Sequence, residues 1–62
     1  MSIELPNGEM LNLIWVKDCY VDKHNNQRVV IEMVNGVDKV ILFENQENAK
    51  SLVDSIKTAM KQ

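Results

Sequence analysis

Apolar positions along the chain fall into four β-like runs and one helical stripe, separated by turn-forming residues. Residues 3–5, 10–22, 28–34 and 38–43 are rich in β-branched and other apolar side chains, the composition of pleated, half-buried strands. Pro6-Asn7-Gly8 closes the first run. It reads as a type I turn with a left-handed glycine, because proline fixes φ at the first central position and glycine accepts φ > 0. Lys23-His24-Asn25-Asn26-Gln27 is a second polar break, with asparagines that tolerate the left-handed region. Val34-Asn35-Gly36-Val37 predicts a two-residue type I′ hairpin. The run 10–22 exceeds an ordinary strand, so a bend or bulge is expected near Lys17-Asp18. Strands are therefore expected at about 3–5, 10–16, 18–22, 28–34 and 38–43.

After Phe43 the period changes. Ala49, Leu52, Val53, Ile56, Ala59 and Met60 follow helical spacing and predict a helix over 46–61 with one apolar stripe. Asn45 is the expected N-cap, with Glu47 in the first turn and Lys57 and Lys61 near the far end, as the helix dipole favours. Strands joined by short turns make a meander. The fold class is thus α+β: one small domain, 1–62, in which an antiparallel β-meander of four to five strands carries one C-terminal helix on one face.

A two-residue Asn35-Gly36 loop would pair Val34 with Val37, Glu32 with Lys39 and Val30 with Ile41. Glu32 and Lys39 would then face each other as an opposite-charge cross-strand pair. Val29, Ile31, Met33, Val40 and Leu42 form the drier face, assigned to the helix. The other face would hold Leu11, Leu13, Trp15, Val21, Val30, Ile41 and Phe43. A one-residue slip at Asn25-Asn26 exchanges the sets contributed by residues 10–22. Four strands span roughly 19 Å and one helix about 10–12 Å, so one helix leaves apolar sheet uncovered. The remaining cover is expected from a curled sheet or a second molecule.

Composition sharpens this shortage. The chain has 62 residues, 45% hydrophobic, with one cysteine and one histidine. At this length folding buries only ~60% of the surface that the unfolded chain exposes. Small domains make up the difference with disulfides, a metal or a partner subunit. Cys19 alone forms no internal disulfide, and a structural zinc site is not expected from one Cys and one His.

Net charge is −2, with Arg28 the single arginine, and no segment is a basic patch, so nucleic-acid binding is not expected. The N-terminal start has no basic region or apolar run, so it is not read as a signal peptide. The longest apolar stretch, Leu13-Ile14-Trp15-Val16, falls far short of the ~20 residues that span a bilayer. No membrane association, cofactor, metal or small-molecule substrate is indicated, and a lone cysteine suits a reducing, cytoplasmic setting.

Chemistry offers few candidates. Cys19 and His24 could form a nucleophile–base dyad with Asp22 orienting the imidazole, but no oxyanion site accompanies them. Asp18, Cys19, Asp22 and His24 lack metal-ligand spacing, and strand alternation sends Asp18 and Cys19 to opposite faces. The sequence reading is therefore a small non-enzymatic interaction or regulatory protein, an accessory protein of the bacterial or phage kind. It would act as a homodimer or on a protein partner through Leu11, Leu13, Trp15, Val21, Val30, Ile41 and Phe43. An acidic inhibitor of a basic nucleic-acid-binding protein is the second reading, and an enzyme using Cys19 and His24 the third.

Overall fold

In a computed structural model describing residues 1–61, the element order is β1 (Ser2–Glu4), β2 (Met10–Asn12), a 3-10 turn (Leu13–Trp15), β3 (Val16–Val21), β4 (Arg28–Met33), β5 (Lys39–Leu42) and α1 (Gln46–Met60). The α+β class and the C-terminal helix agree with the sequence reading. The single meander does not, because the strands form two antiparallel sheets, β1-β2 and β3-β4-β5. The cause lies at Leu13. There the Asn12 side chain accepts the Ile14 N–H at 3.2 Å and caps the 3-10 turn. The strand expected over 10–16 therefore ends at Asn12, and β2 and β3 enter different sheets. The expected bulge is present: the β3-β4 register shifts between Val16 and Asp18, so Val16 and Cys19 are both buried.

Both Asn-Gly turns share one geometry. Gly8 N–H donates to the Leu5 carbonyl at 2.9 Å, and Asn7 Oδ1 accepts the Glu9 N–H at 2.9 Å. Gly36 N–H donates to the Met33 carbonyl at 3.0 Å, and Asn35 Oδ1 accepts the Val37 N–H at 2.9 Å. Only Gly8 and Gly36 have positive φ among the described residues, at 88° and 85°. A type I′ turn needs positive φ at both central positions, so the Asn35-Gly36 expectation is corrected to a type I turn closed by a left-handed glycine. The connection has three residues, Val34-Asn35-Gly36, and the β4-β5 register moves by one, to Val29↔Ile41 and Val30↔Val40.

The 23–27 loop slips as well. Asp22 N–H donates to the Arg28 carbonyl at 2.8 Å, giving a five-residue loop and the pairs Cys19↔Ile31 and Tyr20↔Val30. No asparagine adopts the left-handed region; Asn25 instead accepts the Gln27 N–H at 3.0 Å.

Both slips act in the same sense. Cys19, Val21, Val29, Ile31 and Ile41 turn toward the core, while Tyr20, Val30, Val40 and Leu42 turn outward. The Glu32–Lys39 pair is lost with the register. Lys39 stands opposite Ile31, and its Nζ reaches Glu9 Oε2 at 2.7 Å. That contact, with help from Asn7, lowers the Glu9 pKa and ties the first hairpin to β5.

Helix α1 starts where expected, with the Asn45 side chain accepting the Asn48 N–H at 2.8 Å. It buries Ala49, Val53 and Ile56 and packs against β3, β4 and the 3-10 turn. The first hairpin and the turn that follows it add Leu5, Leu11 and Leu13 to the same buried cluster. The accessible surface is 4359 Å², close to the ~4,100 Å² usual for a lone compact chain of this mass. The helix face of the sheet is thus covered from within the chain, and the bare side is the opposite one.

Candidate interaction surface

The outer face of β3-β4-β5 carries Tyr20, Val30 and Val40 side by side on three neighbouring strands, with Leu42 opposite Arg28 at one end. Val40 and Leu42 are 56% and 68% exposed. Strands half-buried on one face normally place polar residues on the other, so two bare aliphatic residues on one strand stand out. Along the chain this row of β5 and its flanks reads Asp38, Val40, Leu42, Glu44, every one exposed, while Lys39, Ile41 and Phe43 are half-buried between them.

Acidic groups gather at one end. The Tyr20 hydroxyl donates to Glu32 Oε2 at 3.0 Å. That hydrogen bond, some burial, and the charges of Glu32, Asp38 and Asp18 raise the phenol pKa. The cation on this face, Arg28, pairs with Asp22 at 3.3 Å. Tyr20 is the single tyrosine, so an absorbance titration at alkaline pH reads it alone. Its midpoint should lie above 10 and fall in Glu32→Gln, which removes a negative charge from beside the phenolate. Because the raised pKa belongs to the folded state, the associated stability is present below pH 10 and declines as pH rises through the folded midpoint. An unchanged titration in Glu32→Gln would break the Tyr20–Glu32 assignment.

The two edges of the sheet differ. By antiparallel alternation, β3 turns the N–H groups of Cys19 and Val21 outward, and β5 those of Val40 and Leu42. The β3 edge is blunted twice, by the irregularity at Lys17 and by Asp18 Oδ1, which accepts the Cys19 N–H at 2.8 Å. Among the described residues no side chain or loop takes up the N–H of Val40 or Leu42 in that way. The β5 edge is open.

The seven residues read from sequence as one uncovered face do not form one. Leu11 and Leu13 are buried, and Val21, Ile41 and Phe43 pack on the core. Val30 lies half-buried on the outer face, and Trp15 is 55% exposed on the 3-10 turn. The signal for Val40 and Leu42 was present in the sequence but assigned to the wrong side by the loop length. A second apolar region, a shallow depression of about 220 Å³, is lined by Met1, Leu13, Ile14, Ala59 and Met60.

Cys19 and His24 also stay apart. Cys19 is 1% exposed beneath α1, its Sγ 4.0 Å from the Val53 carbonyl, and burial raises its pKa. A protonated, enclosed thiol is a poor nucleophile. His24 is exposed in the loop, and Asp22 accepts its backbone N–H at 2.8 Å rather than orienting the ring. Among the described residues no group of three or more His, Cys, Asp or Glu could hold a metal ion, and no helix is long and apolar enough to cross a membrane. The chain matches no known protein family, no curated protein and no solved structure, so its own surface carries the functional argument.

Proposed function

We propose that the protein is a small non-enzymatic interaction or regulatory protein that docks on a protein through the outer face of β3-β4-β5. The observation that carries this reading is the exposure of Val40 and Leu42 beside Tyr20 and Val30, on a sheet whose other face already has its cover. Contiguous apolar surface rimmed by charge is typical of interaction sites. A photo-reactive benzophenone side chain at position 42, in cells producing the protein, is expected to give one discrete adduct. The same group at exposed Ser51 on α1 should give none. An adduct of twice the chain mass identifies a homodimer, and any other mass a different partner. Indistinguishable adduct patterns at 42 and 51 would overturn the reading.

A further inference from the structure

We propose that the open β5 edge accepts an added strand from a basic partner, one that alternates cationic and apolar residues in the order cation, apolar, apolar, cation. This rests on the reading that the outer face is the docking surface, and it adds the mode and chemistry of the partner.

Three observations converge on it. First, the edges are treated unequally. Natural sheets blunt exposed edges with bulges and charges. Strand β3 has a bulge and an amide capped by Asp18 at its Lys17–Cys19 end, whereas β5 carries one inward lysine, Lys39, and leaves the N–H and C=O groups of Val40 and Leu42 open. Second, the face alone is small. Three strands of up to six residues cover about 300 Å², against roughly 800 Å² per partner in a standard interface. Face-to-face packing therefore leaves a deficit, and main-chain hydrogen bonds along an edge are the usual supplement in strand addition. Third, the charges specify the newcomer. The outward row Asp38, Val40, Leu42, Glu44 puts an acid at each end of an apolar pair. Asp18 and Glu32 add negative charge deeper on the same face, near Tyr20. A strand with Lys or Arg at both ends of two apolar residues meets an opposite charge at each end.

A second copy fits less well. Antiparallel self-pairing that engages the whole 38–44 row, centred on Ile41, places Asp38 of each chain opposite Glu44 of the other. Like charges directly opposite are unfavourable.

The probe is the peptide Thr-Lys-Thr-Val-Thr-Val-Thr-Lys-Thr, titrated into isotope-labelled protein by NMR. The expected result is movement of the Val40 and Leu42 amide signals, with affinity falling about tenfold when both lysines become glutamate. A similar loss is expected when both valine amides are N-methylated, since those N–H groups would face β5. In Asp38→Lys/Glu44→Lys, two exposed changes that leave the core intact, preference should reverse toward the glutamate peptide. Equal binding of the lysine and glutamate peptides would overturn the proposal. So would still signals at Val40 and Leu42 up to millimolar peptide, or concentration-dependent movement of those signals without peptide, which would seat a second copy on the edge. A position-42 adduct obtained alongside a silent peptide titration would retire strand addition while keeping the outer face as the docking surface.

Discussion

Truncating Ile56 to alanine is expected to cost about 2–5 kcal/mol, the range for large-to-small changes at fully buried aliphatic sites. Ile56 is 0% exposed, as are Val29 and Ile31 in the strand beneath the helix. Domains hold roughly 0.05–0.15 kcal/mol per residue, or about 3–9 kcal/mol for this length, so one side chain accounts for a large share of the total. With a urea slope of about 1 kcal/mol/M, the midpoint should fall by about 2 M or more. Far-UV circular dichroism in urea reads this directly. A shift under about 0.5 M would mean that α1 is held by something other than its apolar stripe.

Leu11→Ala should be as damaging, for a reason specific to this fold. Leu11 is 1% exposed in the short strand β2, and with Leu5 and Leu13 it is the contribution of the chain's first 13 residues to the core. A strand of three residues with no buried face would be marginal in isolation. The loss is again expected at about 2–5 kcal/mol, and it should be global. Trp15, the single tryptophan, sits on the turn between the two sheets. Its fluorescence in the variant should change over the same urea range as the helical signal, as two-state unfolding of one core requires. An early fluorescence transition with the helix still intact would show that the first hairpin is a separate, weaker unit.

These two positions also show what was legible in the sequence. The α1 stripe was, because six apolar residues at 3.6-residue spacing leave one arrangement, and Asn45 marks the start. The cover supplied by Leu5, Leu11 and Leu13 was not. Periodicity in 10–22 gave no sign that Asn12 would cap a 3-10 turn and send β2 into another sheet.

The turns explain the misplaced surface. Pro6-Asn7-Gly8 and Val34-Asn35-Gly36 fold alike, yet only the first announces its turn type in the sequence. Proline presets φ for the first central position of a type I turn, and it lacks the N–H that the residue before a two-residue Asn7-Gly8 loop would pair across the hairpin. Valine at position 34 carries no such prohibition that a reader of short motifs would see, and Asn-Gly favours the two-residue loop. What decided the case was tertiary: the three-residue loop puts Ile41 and Phe43 against the core and lets Lys39 reach Glu9. Because side chains alternate with a period of two, one residue of loop length exchanged the interior and exterior of β5. Ile41 and Phe43 moved inward, and Val40 and Leu42 became the candidate site.

The unequal edges of the three-stranded sheet also set a valence. A sheet that can extend on both sides is a link, and links propagate into fibres. Here the two edges differ: at β3 Asp18 occupies the Cys19 amide and the strand is irregular at Lys17. On the proposed strand addition, this sheet takes a neighbour at β5, while its β3 edge is obstructed at the Lys17–Cys19 end. Deleting Lys17 would even out the ladder while keeping Val16 inward, and would remove one of the two features that obstruct the β3 edge.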